Sequence, residues 1–231
     1  MAQTREINWD QVERDLDEKG YATTGPVLKQ DECRKLISHY PEDQRFRSRI
    51  IMERFRFGSG EYKYFSNPLP EIVQKLRTNL YSPLAKIATR WKQLLGDTTI
   101  YPETLKQYLE TCHRKGQTKP TPLMLKYQSG GYNCLHQDLY GEMVFPFQCT
   151  VFLSATSEYS GGEFLLVEQR PRAQSRGEAI LCEQGEMIIF PVRDRPVHGT
   201  RGYYRTNMRH GVSTIRSGER FTLGIIFHDA R

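Results

Sequence analysis

Residues 123–138 read LMLKYQSGGYNCLHQD: a short apolar run, a glycine turn and a second strand-like run that ends in His-Gln-Asp. Apolar runs of this length bounded by glycine are typical of β-strands. Five more follow toward the C-terminus with almost no helical periodicity, namely FQCTVFLSA, GEFLLVE, EMIIF, RHGVSTI and RFTLGIIF. Residues 121–231 are therefore expected to form an all-β core of about six to eight strands.

Helical periodicity is confined to the first 120 residues. Apolar residues recur there at three- and four-residue steps, which predicts helices over 8–19, 30–40, 70–80, 82–95 and 102–113. Residues 45–65 are rich in aromatic and β-branched residues and predict a hairpin around Gly58–Gly60. We expect a single domain over residues 1–231, of the α+β class, with 1–120 as a mainly helical support for the β core.

The composition excludes several classes of protein. No apolar run approaches the roughly 18 residues of a membrane-spanning helix, and the polar N-terminus does not resemble a secretory signal. The five cysteines have no close pairs, which argues against a disulfide framework or zinc cluster and for a reducing compartment. The net charge of +6 is compatible with a polyanionic partner without requiring one. We expect a cytoplasmic protein with no membrane attachment and no obligate protein partner.

The His-Gln-Asp triplet suggests a metal site. Alternate residues of an extended chain share a face, so His136 and Asp138 can reach one ion. Two imidazoles and one carboxylate are the ligands of a facial iron(II) centre with three open positions. His198 and His210 are the candidates for the second imidazole. Strand alternation favours His210, because His198 lies in the turn-like stretch RPVHGTRG. About 0.7 His-x-acid pairs are expected by chance, so the triplet depends on its surroundings.

Arg220 suggests an acidic co-substrate beside that metal. Residues 216–219 (RSGE) predict a hairpin turn that places Arg220 and Thr222 on one face of the strand next to His210. A guanidinium offers a planar, permanently charged fork for the far carboxylate of a chelating dicarboxylate. Thr222 and Tyr127 can add hydroxyl groups to the same carboxylate. The alternatives are an exposed arginine and a half-buried strand tyrosine.

Basic and aromatic segments suggest a substrate surface. Arg170 and Arg172 lie in QRPRAQSR, and Arg201 and Tyr203 lie in a stretch that interleaves arginine with tyrosine. Single-strand binders combine arginine for phosphates with aromatic rings for unstacked bases. Tyr140, just past Asp138, is a further candidate for the pocket wall. A third basic region lies along the early hairpin and comprises Arg45, Arg47 and Arg49, followed by Arg54 and Arg56. The alternative for all of them is a solvated surface with arginine–acid pairs.

The ordered motifs resemble a known superfamily. HQD (136–138), YSGGEF (159–164), GEMIIFP (185–191) and RHGVSTIRSGER (209–220) follow one another as in the iron(II)/2-oxoglutarate-dependent dioxygenases. A longer pattern resembles the bacterial oxygenase family predicted to act on damaged or alkylated bases of nucleic acids. It includes GYATTGPVLKQDEC, EYKYF, EQRPRAQSR, RPVHGTRGYYR and LGIIFHD.

This resemblance implies a double-stranded β-helix (jelly-roll) core with N-terminal helices packed against it. It also implies that His136, Asp138 and His210 hold Fe(II), that Arg220 binds 2-oxoglutarate, and that O2 is the second co-substrate. The metal centre would need no further catalytic residue. The implied reaction is oxidative demethylation of alkylated bases in DNA or RNA, a DNA-repair activity.

One departure keeps the substrate open. Demethylases of alkylated bases typically carry two arginines separated by five residues on the closing strand, whereas Arg220 is followed by FTLGIIF. That spacing is closer to the prolyl-hydroxylase-like enzymes, so hydroxylation of a protein or small molecule is the alternative. A non-catalytic nucleic-acid-binding β-sandwich is the alternative from another class.

Overall fold

The computed structural model describes residues 6–139 and 141–231. In these ranges the helices are α1 (Trp9–Lys19), α2 (Gln30–Ser38), α3 (Glu71–Leu94) and α4 (Leu105–Arg114). The strands are β1 (Ala22–Thr24), β2 (Phe46–Ile51), β3 (Gly58–Ser59), β4 (Glu61–Phe65), β5 (Leu123–Gln128), β6 (Tyr132–His136), β7 (Phe147–Phe152), β8 (Tyr159–Gly161), β9 (Phe164–Gln169), β10 (Arg176–Ile180), β11 (Met187–Pro191), β12 (Asp194–Gly199), β13 (Gly202–Val212) and β14 (Ile215–Ile225). None of the helices described is long and apolar enough to cross a membrane.

Two antiparallel sheets form the core. The major sheet has the order β1-β11-β7-β14-β5-β4-β2, with β8 also paired to β14. The minor sheet has the order β10-β9-β13-β6-β3, with β12 also paired to β13. In both sheets some neighbouring strands are far apart in the sequence, such as β7 and β14 or β6 and β13, as in a jelly roll. The double-stranded β-helix core expected from the sequence is confirmed.

Strand alternation separates the two faces of the major sheet. On β7, Cys149 and Val151 pack with the helices in one hydrophobic cluster. Phe152 belongs instead to the cluster between the sheets, with Phe190 of β11 and Leu166 of β9. Because side chains alternate at a period of two, Gln148 and Thr150 face the interior together with Phe152. The helices therefore cover the outer face, and the inner face is left for a site.

The α3 helix corrects the expectation of two helices over 70–80 and 82–95. It runs unbroken with Pro83 inside it, and its buried stripe continues through Tyr81 and Leu84. An interior proline costs about 3 kcal/mol. Burying large apolar side chains returns about 1.5–3 kcal/mol each, so tertiary packing outweighs the local penalty. The α4 helix begins at Leu105 rather than at 102, because Thr104 and Gln107 form a capping box.

The first 120 residues also supply strands. The β2 and β4 strands pair with each other and extend the major sheet from β5. The β3 strand leaves that hairpin and pairs with β6 of the minor sheet. The expected helical support is therefore interleaved with the sheets, because the β-branched and aromatic segment at 45–65 joins both of them.

A buried ion pair ties the helices to the end of β14. The Arg77 guanidinium, on α3 and 2% exposed, donates to the Ile226 carbonyl at 2.8 Å and to the Asp229 carboxylate at 2.8 Å. The other oxygen of Asp229 lies 2.9 Å from Nε2 of His113 on α4. Both helices are thus held by one carboxylate.

Candidate metal and co-substrate site

Three side chains converge at the interior end of β6 and β13. His136 pairs with His210 across the two strands, and Asp138 lies in the loop that follows β6. The Asp138 carboxylate lies 3.5 Å from Nε2 of His136 and 3.4 Å from Nε2 of His210. One ligand atom from each residue lies within 4.8 Å of the others, so the three could hold a single metal ion. Two nitrogens and one carboxylate oxygen are the donor set of a facial iron(II) site.

A bulge in β6 directs His136 inward. Asn133 pairs with Val212 and His136 with His210, so β6 has one more residue than β13 over this stretch. The extra residue reverses the alternation and lets both Asn133 and His136 face the interior. Gly211 allows the close approach, because a Cβ there would lie 2.7 Å from the carbonyl oxygen of Asn133.

Hydrogen bonds prepare the ligands for a cation. Nδ1 of His136 lies 2.7 Å from the carbonyl oxygen of Cys134 and must donate to it, which leaves Nε2 free for a metal. The amide of Gln148 donates to Asp138 at 3.0 Å. Burial and the neighbouring His210 lower the pKa of His136, which favours the neutral, ligating imidazole. Burial acts to raise the pKa of Asp138, but its contacts with His210, His136 and Gln148 lower it overall.

Arg220 is a buried cation that forms no ion pair with any of the described residues. It is 1% exposed, and among the described residues none accepts a hydrogen bond from its Nε or from either terminal nitrogen. Its guanidinium carbon lies 5.0 Å from the ring centre of Phe152 and 5.8 Å from that of Tyr127. Such burial costs several kcal/mol unless a partner arrives. The arrangement fits an anionic ligand that brings its own carboxylate.

The neighbours of Arg220 could add hydroxyl donors for an anion. Tyr127 lies directly opposite on β5; it is fully buried, and burial raises the pKa of its phenol, which keeps the hydroxyl as a donor. Thr222 is buried two residues further along β14 and faces the same way. Gly162 makes room for the arginine, because a Cβ there would lie 2.9 Å from Cδ of Arg220 and would collide with Ile215.

The path from His210 to Arg220 corrects the expected hairpin. The turn falls at 213–214 rather than at 216–219, and β14 pairs with β5, β7 and β8 instead of β13. His210 and Arg220 therefore lie on different sheets and face the interior from opposite sides. A short crossing between sheets and a hairpin both appear as two strands joined by polar residues, so the sequence pattern did not separate them.

His198 is exposed on β12, which corrects its assignment to a turn. Its ring packs edge-on against Tyr203 at 5.0 Å between centroids.

Of the substrate residues predicted from the sequence, Tyr140 lies outside the described residues. The other four lie away from the His-Asp-His set. Arg201 and Tyr203 are at the tip of the β12–β13 hairpin; Tyr203 is seven residues from His210, or roughly 23 Å along a strand. Arg170 follows β9 and pairs with Glu168 at 3.1 Å, and Arg172 is exposed nearby with a φ of 59°. The structure does not bring these four residues together with the triad.

Sequence reasoning missed two residues that contact the site, Gln148 and Gly162. Gln148 and Thr150 are polar positions at a spacing of two in FQCTVF, a strand that is otherwise apolar and buried throughout. Polar residues at that period on a buried strand indicate a polar interior. Gly162 carries no such signal, because its role depends on its distance from Arg220.

The fold is that of several oxygenases of known structure. A Pseudomonas putida prolyl-4-hydroxylase is 13% identical; the match covers 96% of this chain and 99% of the hydroxylase, with a TM-score of 0.54. An oxidoreductase of the 2OG-Fe(II) oxygenase family from Burkholderia pseudomallei is 13% identical; the match covers 99% of this chain and 95% of the oxidoreductase, with a TM-score of 0.54. A Trichoplax adhaerens prolyl hydroxylase is 12% identical; the match covers 96% of this chain and 94% of the hydroxylase, with a TM-score of 0.54.

The jelly roll and the partly buried His-Asp-His set are those of the iron(II)- and 2-oxoglutarate-dependent oxygenases, and the family match over most of the chain makes this protein an oxygenase of that class. Within this class, residues 60–230 match the model of the Oxygenase-NA family, described as an oxygenase catalysing oxidative methylation of damaged DNA, and the chain belongs to that family. Two curated relatives, uncharacterized proteins from two strains of Mycobacterium tuberculosis, are 52% identical over 167 residues, which is 72% of this chain and 72% of theirs.

Proposed function

We propose that this oxygenase uses Fe(II), 2-oxoglutarate and O2 to demethylate alkylated bases in DNA or RNA, as a DNA-repair enzyme. The observation that carries the proposal is the buried, unpartnered guanidinium of Arg220 in the same interior as the His-Asp-His set. The family description supports damaged nucleic acid as the substrate class.

Each residue of the site has a defined task in this proposal. His136, Asp138 and His210 hold the metal, while Gln148 and the Cys134 carbonyl fix the orientation of two of these ligands. Arg220 binds the far carboxylate of 2-oxoglutarate, with Tyr127 and Thr222 as hydroxyl donors to it. When bound, the metal supplies the oxidative chemistry. The chain itself contributes orientation and the exclusion of water.

Anaerobic titration of 2-oxoglutarate into the iron-loaded protein tests the centre. We expect a metal-to-ligand charge-transfer band that is lost in His136→Ala and His210→Ala. His198→Ala is the matched control and should keep the band, since His198 is exposed on the β12–β13 hairpin. A band that survives His136→Ala would show that the ligand assignment is wrong.

Formaldehyde release from N-methylated oligonucleotides, single- and double-stranded, tests the substrate. Hydroxylation of an N-methyl group gives a hemiaminal that collapses to formaldehyde and the repaired base, so release should follow consumption of 2-oxoglutarate. Arg170, Arg172, Arg201, Tyr203 and Tyr140 remain candidates for contacts with the strand, and alanine variants should weaken binding without changing the charge-transfer band.

A second candidate is hydroxylation of a protein side chain or small molecule, as in the prolyl hydroxylases. It is favoured by the closing strand, because Arg220 is followed by FTLGIIF (221–227) with no second arginine. Turnover of 2-oxoglutarate with no formaldehyde across the whole panel would support this candidate. We place either activity in the cytoplasm, because all five thiols are free and four of them are buried.

A further inference from the structure

An exposed aromatic and basic tip lies between β2 and β3. Arg54, Phe55, Arg56 and Phe57, here called the RFRF finger, follow the buried Met52. The side chain of Phe55 is 53% exposed and that of Phe57 is 37% exposed. Their rings stack on each other at 5.5 Å between centroids, with 20° between the planes. Two large apolar rings held together in solvent indicate a surface kept for contact with another molecule.

The finger is fixed to both sheets beside the metal site. Met52 is fully buried in a cluster with Tyr127 and Ile215. The carbonyl of Phe57 accepts a hydrogen bond from the backbone N–H of Cys134 at 2.8 Å. Cys134 is two residues before His136 on β6, so the finger lies along the strand that carries a metal ligand. Its rings are therefore presented at a defined place next to the site.

The backbone of the finger adopts a conformation that arginine rarely takes. Arg56 has a φ of 59° and a ψ of 30°, in the left-handed region. This residue reverses the chain between the two phenylalanines, which allows their rings to meet on one side. Residues in this region persist only where the surrounding structure holds them, and they cluster at binding and active sites.

The finger carries two exposed guanidinium groups. In the part of the chain that the structure describes, no carboxylate lies within ion-pair distance of Arg54 or Arg56. One carboxylate oxygen of the adjacent Glu53 accepts from the hydroxyl of Ser59 at 2.7 Å and from the N–H of Gly60 at 3.0 Å, which holds that side chain toward β3. Two free guanidinium groups flanking two aromatic rings complement a strand of phosphates and bases.

We propose that the RFRF finger binds the nucleic-acid strand next to the target base, which rests on the proposed nucleic-acid substrate. Phe55 and Phe57 stack with bases neighbouring the one in the site, and Arg54 and Arg56 pair with phosphates. A base must leave its stack to reach a buried metal. An aromatic face beside the site replaces the lost stacking for any base sequence. The finger thus lowers the cost of unstacking the target.

Fluorescence anisotropy with a labelled oligothymidylate tests this proposal. Phe55→Leu/Phe57→Leu keeps apolar volume but removes the aromatic faces, and roughly 10- to 100-fold weaker binding is expected. Ile100→Ala/Leu181→Ala is the matched control, since these side chains are 74% and 62% exposed elsewhere. Arg54→Ala/Arg56→Ala should reduce the slope of log affinity against log salt by about 0.7 for each lost phosphate contact. Arg34→Ala is the control and should leave this slope unchanged.

The anaerobic charge-transfer band separates this proposal from the proposed function. An unchanged band in the leucine variant shows an intact site, so weaker oligonucleotide binding is then due to the finger. Equal affinity of the leucine variant and the wild type overturns the role of the finger, as does failure of the wild type to bind any strand. Finger-dependent binding by a protein that shows no band would support the finger and reject the oxygenase centre.

Discussion

Replacement of Arg220 by methionine should have opposite effects on stability and on 2-oxoglutarate binding. The guanidinium is 1% exposed and has no hydrogen-bond acceptor among the residues described. Without 2-oxoglutarate, the folded protein therefore carries an uncompensated buried charge. Methionine keeps most of the apolar volume between Phe152 and Tyr127 while removing that charge.

The expected magnitudes follow from burial. Replacing buried charges by apolar groups of similar size stabilises proteins by roughly 1–4 kcal/mol, and Arg220→Met should gain an amount in that range when no ligand is present. The same change removes two charge-assisted hydrogen bonds to the carboxylate, each contributing about 1.5–3 kcal/mol. The affinity for 2-oxoglutarate should fall by roughly 10²- to 10⁴-fold, while that for iron should change little.

Urea unfolding with and without 2-oxoglutarate measures both effects. The wild type should gain about 2.7 kcal/mol at a ligand concentration of 100 times Kd, and Arg220→Met should gain almost nothing. Arg216→Met, an exposed arginine earlier on β14, is the control. If Arg220→Met lowered the stability of the free protein, or lost iron and 2-oxoglutarate affinity equally, Arg220 would be a structural residue and the reasoning would be refuted.

Three further changes test the packing around the site. Gly162→Ala should cost about 1–3 kcal/mol, because its Cβ would approach Arg220 at 2.9 Å from a backbone with positive φ; urea unfolding measures the loss. Asp229→Ala should cost about 3–5 kcal/mol by leaving Arg77 buried without its partner, which thermal unfolding should show. Burial and the positive charge of Arg77 lower the pKa of His228 to about 4. The contribution of His228 to the free energy of unfolding should therefore be fully present above pH 6.5. It should be reduced by about 3 kcal/mol as the pH drops to 4, because the unfolded state binds the proton more tightly than the folded state does.

Matched variants give these tests their controls. Gly177→Ala should be nearly neutral, because no atom lies within 4 Å of a Cβ there. Arg77→Met combined with Asp229→Leu should recover much of the loss in Asp229→Ala, since no charge stays buried alone. In a His228→Gln variant, the part of the pH dependence of stability that is due to His228 should be lost. The explanation for His228 fails if the slope between pH 6.5 and 4 is the same in this variant.

Local patterns predicted much of the β core. The six strand-like runs after Pro122 correspond to β5, β7, β9, β11, β13 and β14, because each buries at least one face and bears the period of two that burial imposes. Strand alternation also placed His210, rather than His198, beside His136.

The errors concern relationships between distant segments. The local pattern predicts separate helices over 70–80 and 82–95, whereas the apolar stripe that continues past Pro83 keeps α3 intact. It also predicts that the strand after His210 is its hairpin partner, although β13 and β14 belong to different sheets. In both cases the deciding energy comes from residues far away in the sequence, which periodicity within one segment does not contain.

The bulge in β6 limits how the length of this chain can vary. Removing one residue at Cys134 or Leu135 would only make the pairing regular, with Asn133 still opposite Val212 and His136 still opposite His210 on the interior face. Removing both would place His136 opposite Gly211 and turn it to the outer face. The strands could still pair, so the product of the double deletion would be a folded protein that lacks one of the three side chains proposed to hold the metal. Such a two-residue deletion should therefore be removed by selection for activity rather than for folding. Changes in length at the tip of the β12–β13 hairpin, far along the same strand, should be tolerated.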